Sequence, residues 1–496
     1  MEVVAAPVRY PRTPLLALFL VALVPVVGLA ALLLWSDTKA DEYEAVESGS
    51  PAANAPTGID PGPPTPALTT ALMSYRRAPS VVASVANTNA LAAEIDPVYG
   101  YLDERSCSSV SVNGRHVTGI NETTPVIPAS NQKLLVAAVA LELLGPEFTF
   151  TTRVTGPAPV GGVIDGDVVI IGGGDPLLTS SDYPIANDSD PAINVTTFDQ
   201  LADQLVAAGV TRINGSVLGD GSRYDDEYEV DSWGEGVAGV EAGPYDALMV
   251  NDSRALGRSG KQSDPNAAAA REFVRLLGER GITVSGGWDA GVADPAAAEL
   301  ASIQSAPLAA VVAEMLTTSD DNTAELMLKE LGVADSAIGT RTAGVSALSS
   351  TLASWGVPMD GVRAVDGSGL SLDNRVTCAA ILAVLQRSAG SPLQAGLPIA
   401  GQTGTLAREF VGSPVAGRLV AKTGTLGNEP VISDPPSVKA LSGYLPVANG
   451  DVVEFTMILN SPDIALDGRY QPLWVALAER LDTYPAGPEL AELSPR

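Results

Sequence analysis

The sequence predicts an α/β protein that is held at a membrane by an N-terminal helix and whose folded part is split by an inserted, mainly-β segment. Three observations support this prediction: an uncharged apolar run near the N-terminus, a mixture of helical and strand patterns after it, and chemically informative motifs placed far apart. With 496 residues, 46% of them hydrophobic, the chain can bury a large core and is long enough for more than one domain.

The overall charge excludes one large class of function. The formal net charge is -29 at pH 7, whereas a protein that binds the phosphates of nucleic acid needs a basic face. Nucleic acid is therefore not an expected partner, and we interpret the acidic excess as a solvated surface.

The N-terminal run extends from Thr13 to Trp35 and is long enough to cross a bilayer. Arginines precede it and acidic residues follow it, so the positive-inside rule places residues 1–12 in the cytoplasm and the rest of the chain outside. Residues 36–66 are rich in proline and poor in large apolar residues, which predicts a disordered linker. A cleaved signal peptide is the alternative, although the run ends in LLLWSD rather than in a small-x-small site.

Two cysteines, Cys107 and Cys378, stand near the two ends of the predicted folded part. Outside the cytoplasm, a structural disulfide between them is expected. The sequence leaves open the alternative of two separate buried thiols, which behave as small apolar residues.

The scarcity of metal ligands excludes several chemistries. His116 is the only histidine, and its segment SVNGRHVTGI has the pattern of a turn between two short strands. A zinc site of the His/Cys type is therefore excluded, a Ser-His-Asp triad would have to rest on this one histidine, and no metal or cofactor is predicted. The glycine-rich IIGGGDPLL (170–178) lacks the spacing of a nucleotide-binding loop and is interpreted as a strand that ends in a turn.

Ser130 and Lys133 supply a nucleophile with a base other than histidine. They lie in PASNQKLLVAAVALELLG (128–145), where apolar residues spaced for a helix follow the lysine. Positions i and i+3 of a helix lie on one face about 5 Å apart. A lysine beside an apolar wall can act as a base, and a serine near a helix N-terminus has free backbone N–H groups close by. A capping serine followed by a solvated lysine gives the same spacing, so the motif needs support from elsewhere.

The segment RLVAKTGTLGN (418–428) gives such support. It alternates like a strand that breaks at Gly424 and carries a cation and two hydroxyl groups at its end. Lys422, Thr423 and Thr425 could hold a carboxylate, and the glycine would let a substrate backbone approach closely.

The segment EMLTTSDDNTAELMLKELG (314–332) gives further support. It predicts a helix that ends at Thr317-Thr318, a polar turn that begins at Ser319, and a second helix from Thr323 to Leu331. Taken by itself, the turn is an N-cap with acidic residues at the start of a helix.

The three motifs S-x-x-K, serine-acid-asparagine and K-T-G, in this order, resemble those of the penicillin-recognising serine enzymes. Further segments are similar to the class C low-molecular-mass penicillin-binding proteins, the D-alanyl-D-alanine carboxypeptidase/endopeptidase family, over about residues 67–483. These segments are PVIPASNQKLL, IIGGGDPLL, VNDS (250–253), SDDNTAELMLKELG, AVDGSGLSLDNRVT (364–377) and GTLAREFVGSPVAGRLVAKTGTL (404–426).

The resemblance implies a catalytic role for four residues. Ser130 would attack the peptide bond between two D-alanines at the end of a peptidoglycan stem peptide, with Lys133 as its base. Ser319 would relay a proton to the departing D-alanine, and Lys422 would supply positive potential. The same resemblance implies a bacterial protein that β-lactams inhibit by acylating the nucleophilic serine.

The resemblance also implies how substrate is held. Thr423 and Thr425 would help to bind the terminal carboxylate, with Gly424 between them giving access. The oxyanion of the tetrahedral intermediate would lie between the backbone N–H groups of Ser130 and Thr425. Together with the predicted anchor, this places a single-pass protein in the bacterial cell membrane with its catalytic domain outside.

One position departs from the family's Ser-x-Asn pattern. Asp321 stands where the asparagine is expected, and Asn322 follows one place later. Either Asn322 turns in to bind substrate, or Asp321 takes that role beside Lys133. An ionised aspartate donates no hydrogen bond and would hold the lysine protonated. The alternative function is therefore a catalytically disabled, membrane-tethered scaffold that binds peptidoglycan.

Two other segments are weaker candidates for the site. GQTGTL (401–406) repeats the T-G-T-L of the K-T-G segment but has Gln402 in place of lysine, so we interpret it as a decoy. VDGSGLS (365–371) is a glycine-serine turn that borders the cleft in the family, which makes Asp366 and Ser368 secondary candidates for substrate binding.

The spacing of the motifs predicts the domain organisation. Because the two candidate serines must meet in one cleft, residues 151–299 are interpreted as an inserted, mainly-β domain. Residues 67–150 and 300–483 would then form one split catalytic domain, an antiparallel sheet with helices on both sides. An enzyme that hydrolyses a β-lactam or a small ester is a further alternative, which the tether and the large insertion disfavour.

Overall fold

The structure is a computed structural model that describes residues 78–183, 193–233, 236–256, 260–427, 437–488 and 492–493. The predicted cytoplasmic tail, the apolar run Thr13–Trp35 and the linker 36–66 lie outside these residues. Among the helices that the structure describes, none is both long enough and apolar enough to span a membrane.

The helices lie mostly in the N-terminal and C-terminal parts of the folded chain. They are α1 Ala78–Tyr99, α2 Gln132–Leu143, α3 Asp199–Ala207, α4 Pro265–Glu279, α5 Leu308–Thr318, α6 Asp321–Ser336, α7 Arg341–Ser354, α8 Cys378–Arg387, α9 Pro392–Ala395 and α10 Tyr470–Leu481. Two 3-10 turns, Ala129–Asn131 and Gly404–Leu406, also bear on the site.

The longer strands lie mostly near the two ends of the folded chain, and most of the strands between them are shorter. They are β1 Cys107–Val112, β2 Arg115–Ile120, β3 Thr151–Gly156, β4 Val163–Ile164, β5 Val168–Ile171, β6 Leu178–Thr179, β7 Thr196–Thr197, β8 Arg212–Ile213, β9 Val217–Asp220, β10 Thr283–Val284, β11 Trp288–Ala290, β12 Ala298–Gln304, β13 Val420–Leu426, β14 Ser437–Pro446 and β15 Val452–Ser461.

The main sheet has five strands in the order β13-β14-β15-β1-β2, and all its pairs are antiparallel. Because side chains alternate along a strand, the sheet has two apolar faces. One face carries Ala440 and Ile458 and packs on α2 and α5–α8, while the other carries Leu441 and Phe455 and packs on α1 and α10. The predicted antiparallel sheet with helices on both sides is therefore confirmed.

Helix α2 lies in the centre of this layer of helices. Every residue from Gln132 to Ala140 is buried, and the helix contacts α5, α6, α7, α8 and α9. The stretch from Gln132 to Ala140 therefore has no solvent-facing side on which a charged group could be hydrated. A lysine at its start must therefore find its partners inside the protein.

Residues 151–304 form further sheets, with strand orders β11-β9-β5-β3-β12, β10-β8-β4 and β6-β7. Helix α4 packs on β9 and β11, and α3 packs on β12. Polar contacts join this region to the helices of the main layer: Arg223 binds the carboxylate of Glu330 on α6, and Arg341 on α7 binds Glu227.

Three local expectations need correction or completion. Strand β13 does not break at Gly424 but continues to Leu426, because β14 pairs with it along its whole length. The predicted turn between two short strands around His116 is confirmed, and His116 itself lies within β2. A disulfide joins Cys107 on β1 to Cys378 on α8, with the two Cα atoms 5.9 Å apart, so the alternative of two separate thiols does not apply.

Candidate active site

Ser130 lies in the 3-10 turn that precedes α2. The turn is entered through Ala129, whose φ of 48° is in the left-handed region. Strand β13 passes directly against it, since a Cβ atom on Gly424 would lie 3.0 Å from the carbonyl oxygen of Pro128. Glycine at this position therefore lets the K-T-G strand and the nucleophile turn meet.

Lys133 follows one turn later and is completely buried. Its Nζ lies 3.0 Å from the Oγ of Ser130, 2.6 Å from the Oδ1 of Asp321 and 2.8 Å from the carbonyl oxygen of Ser368. An ammonium group has three hydrogens to donate, and this environment supplies three acceptors, one of them a carboxylate.

A second serine and lysine stand beside the first pair. The Nζ of Lys422 donates to the Oγ of Ser319 at 2.8 Å and to the carbonyl oxygen of Thr423 at 3.0 Å. Of the carboxylates that the structure describes, none forms an ion pair with it. Burial lowers the pKa of Lys422 well below its usual range, and the nearby charge of Lys133 lowers it further, while Asp321 opposes the shift.

The turn between α5 and α6 decides which side chain faces Lys133. Ser319 ends α5 with a left-handed φ of 68°, and the side chain of Asp320 caps α6 by accepting from the backbone N–H of Thr323 at 2.6 Å. Asp321 is then the first residue of α6 and points at the lysine. Burial, and next the charge of Asp252, raise the pKa of Asp320 to about 6.

The interpretation of Asn322 as a substrate-binding residue is not supported by its position. Its side chain is buried and points into the region of shorter strands, where its oxygen accepts from the backbone N–H of Gly243 at 2.7 Å and its nitrogen donates to Asp252. One residue further along a helix means a rotation of about 100°. Asn322 therefore turns away from Lys133, and Asp321 takes the place beside it.

The threonines of β13 have partners that the sequence did not indicate. The hydroxyl of Thr423 is hydrogen-bonded to that of Thr405 at 2.8 Å, and Thr425 accepts from the Nζ of Lys439 at 3.2 Å. Thr405 belongs to GQTGTL (401–406), which was interpreted as a decoy. Lys422 and not Gln402 lies at the site, as that interpretation expects, although the GQTGTL segment itself packs against both β13 and α5.

Asp366 and Ser368 are completely buried and do not present their side chains to substrate. Asp366 accepts from the indole of Trp233 at 2.9 Å, from the amide of Asn374 at 2.6 Å and from the backbone N–H of Ser371 at 2.6 Å. It holds the loop together. Ser368 contributes its carbonyl oxygen to Lys133, so both secondary candidates support the site instead of binding substrate.

Glu325 on α6 is a supporting residue that the sequence reasoning missed. Its Oε1 accepts from the backbone N–H groups of Gly367 and Ser368 at 3.0 and 2.7 Å. Burial, and next the charge of Asp366, raise the pKa of Glu325 to about 8. The sequence offered only its place one turn after Asp321, which puts it on the same side of the helix.

Within the ranges that the structure describes, no group of three or more His, Cys, Asp and Glu side chains is arranged to hold a metal ion. Ser130, Lys133, Ser319, Asp321 and Lys422 are brought together, and Thr423, Gly424 and Thr425 form the strand beside them.

Comparison with known proteins agrees with this arrangement. The model of the D-Ala-D-Ala carboxypeptidase 3 (S13) family matches residues 111–256 and 251–472. A carboxypeptidase of Mycobacterium tuberculosis is 30% identical over 401 residues, which cover 76% of this chain and 81% of the relative. Carboxypeptidase DacB of Mycolicibacterium smegmatis is 29% identical over 481 residues, which cover 92% of this chain and 95% of the relative.

Solved structures show the same fold. Penicillin binding protein 4 of Haemophilus influenzae superposes with a TM-score of 0.63 at 21% identity, covering 78% of this chain and 98% of the other. A structure of that protein in complex with a β-lactam gives a TM-score of 0.60 at 20% identity, covering 79% and 99%. The chain therefore belongs to the D-Ala-D-Ala carboxypeptidase 3 (S13) family and is a serine-type carboxypeptidase of the class C low-molecular-mass penicillin-binding group.

Proposed function

We propose that this protein hydrolyses the bond between the two terminal D-alanines of peptidoglycan stem peptides through an acyl-enzyme on Ser130, and that β-lactams acylate the same serine. The observation that carries the proposal is the 3.0 Å contact between the Oγ of Ser130 and the Nζ of Lys133. A serine nucleophile needs an adjacent base, and the described part of the chain offers this lysine in contact with its hydroxyl.

In the first half of the reaction, the Oγ of Ser130 bonds to the carbonyl carbon of the penultimate D-alanine. Its proton passes to Lys133 in those molecules whose amine is unprotonated, and the oxyanion is held by the backbone N–H groups of Ser130 and Thr425. The C–N bond then breaks, and the proton reaches the departing amine through Ser319, whose Oγ is hydrogen-bonded to Lys422.

In the second half, a water molecule adds to the ester carbon. The bond to Ser130 breaks, the serine recovers its proton, and the shortened peptide leaves with a new carboxylate. Asp321 lies 2.6 Å from the Nζ of Lys133, so its carboxylate competes with the Oγ of Ser130 for the hydrogens of that amine.

The test is acylation of the full chain by a fluorescent penicillin, together with release of D-alanine from diacetyl-Lys-D-Ala-D-Ala. Wild-type protein is expected to be labelled and to release D-alanine, and Ser130→Ala is expected to do neither. Ser354→Ala, which changes an exposed serine on α7, is the matched control and should behave like wild type. A folded wild-type protein that is neither labelled nor active would contradict the proposal.

A second candidate function is favoured by one contact. The ion pair between Lys133 and Asp321 supports a disabled, membrane-tethered scaffold that binds peptidoglycan without cleaving it. Such a protein would pull down with purified peptidoglycan while failing both assays above.

We further propose that Thr13–Trp35 anchors the protein in the bacterial cell membrane, with residues 67–150 and 300–483 as a split catalytic domain outside it and 151–299 as an insertion. The disulfide between Cys107 and Cys378 supports an oxidising location. Protease added to cells whose outer layers have been removed should digest the folded part. Protection of that part would contradict this location.

A further inference from the structure

The lysine at position 439 lies on β14 directly opposite Thr425 of β13. Its Nζ donates to the Oγ1 of Thr425 at 3.2 Å, and the residue is only 9% exposed. Strand alternation places Thr423 and Thr425 on one side of β13 and Lys422 on the other. Lys439 therefore brings a second cation to the threonine side of the K-T-G strand.

The surroundings of Lys439 leave this charge without an ion pair. Its Nζ lies 4.6 Å from the centroid of the Tyr470 ring, and the nearby carboxylate of Glu409 is 3.4 Å from the hydroxyl of that tyrosine. In the portion of the chain that the structure describes, no carboxylate lies within ion-pairing distance of Lys439. Burial lowers the pKa of Lys439, and Glu409 opposes the shift.

A buried cation without an anionic partner is costly, and a ring face compensates only part of that cost. An incoming anion would supply the missing partner. Thr425 makes the connection, because a hydroxyl that accepts from an ammonium keeps its own hydrogen for a third group and becomes a stronger donor. The group best matched to a hydroxyl donor backed by a cation is a carboxylate.

We propose that Lys439, acting through Thr425, selects peptides whose leaving residue carries a free α-carboxylate over the same peptides with a carboxamide at that position. The inference deepens the proposed function, on which it rests, and names the feature of the substrate that the site reads. Lys439 is a positioning residue in this role, since Thr425 and not the lysine would touch the substrate.

The experiment compares diacetyl-Lys-D-Ala-D-Ala with its C-terminal amide, using wild type, Lys439→Met and Lys439→Arg. Wild type should prefer the carboxylate peptide. In Lys439→Met that preference, measured as the ratio of the two kcat/KM values, should fall by roughly 10- to 100-fold. The fall should appear mainly in KM, and Lys439→Arg should recover part of it. Arg480→Met, which removes a cation from the other end of α10, is the matched control and should keep the wild-type ratio.

A binding experiment without turnover tests this inference independently of the proposed function. The two peptides are titrated against Ser130→Ala and against the double variant Ser130→Ala/Lys439→Met, in which no turnover is needed. A preference for the carboxylate peptide that disappears with Lys439 supports the inference even in a protein that proves inactive. An equal loss of affinity for both peptides, or an unchanged ratio, would overturn it.

Discussion

The two serine–lysine pairs of the cleft differ in what surrounds the lysine. Lys133 has three acceptors around its Nζ, including the carboxylate of Asp321 at 2.6 Å. Lys422 has a hydroxyl and a carbonyl oxygen and forms no ion pair with any carboxylate described by the structure. Both lysines are completely buried, so the difference lies in their partners and not in their exposure.

This difference teaches that the neighbours of a lysine, rather than its place in a motif, decide its protonation. Burial disfavours the charged form, and only an opposite charge nearby restores it. The pKa of Lys422 is accordingly lowered, with the charge of Lys133 as the second cause. The pair that contains Ser130 is the one in which a carboxylate contacts the lysine, so Asp321 is the residue whose replacement tests the proposed mechanism.

The largest expected effect is a difference in stability between variants at the two lysines. Lys133→Met leaves the largely buried Asp321 without its cation and is expected to lower the free energy of unfolding by about 3 kcal/mol. Lys422→Met removes a buried amine that has no carboxylate partner among the described residues and should change the free energy of unfolding by less than about 1 kcal/mol. Urea unfolding measures both. Both variants should lose penicillin labelling by at least about 10²-fold, and equal destabilisation would contradict the comparison.

The second effect concerns the acidic neighbour. Asp321→Asn removes the carboxylate that pairs with Lys133, so acylation by fluorescent penicillin should become about tenfold faster at pH 7. Asp335→Asn, a change on α6 far along the same helix, is the control. Slower acylation in Asp321→Asn would mean that the carboxylate itself takes part in the proton transfer.

The smallest expected effect concerns Glu325, which supports the pair formed by Ser130 and Lys133. Glu325 binds the N–H of Ser368, whose carbonyl oxygen contacts Lys133, and its pKa is raised to about 8. The folded state therefore holds a proton that the unfolded state has released, so stability is highest below the ordinary glutamate range and falls as pH rises through about 8.

Glu325→Gln keeps the accepting oxygen and cannot ionise. Its melting temperature should therefore fall less than that of wild type between pH 6 and pH 9, by roughly 3–5 °C. Thermal unfolding across this range is the measurement. Parallel curves for the two proteins would show that Glu325 does not titrate there. Because Asp320 also has a raised pKa, the variant is expected to keep part of the pH dependence.

The local features of the site were accessible from the sequence. The spacing of Ser130 and Lys133 predicts neighbours on one face, and the structure brings them to 3.0 Å. The segment 314–332 predicts two helices with a polar turn between them, and α5 does end at Thr318. The second helix begins at Asp321 rather than at Thr323, because Asp320 and not a later residue provides the cap.

The partners from distant segments were not accessible in this way. Thr405 was set aside because its segment lacks the lysine, and Lys439 was not considered, yet each touches a threonine of β13. Register between β13 and β14 determines which residue lies opposite Thr425, and register depends on how the two strands pair and pack rather than on either residue alone. Which of Asp321 and Asn322 faces Lys133 likewise depends on the residue at which α6 begins. A shift of one residue along a helix turns the side chain by about 100°.

The sequence by itself determined the nucleophile motif, the strand with its K-T-G, the absence of a histidine base and the family to which these belong. These features follow from residue type and from contacts over a few positions, where backbone geometry leaves few choices. Only the tertiary structure decided that Lys133 is paired with Asp321, that Lys422 has no carboxylate partner among the described residues, and that Lys439 reaches Thr425. Burial and electrostatic partners arise where distant segments meet, so residue type and local spacing do not reveal them.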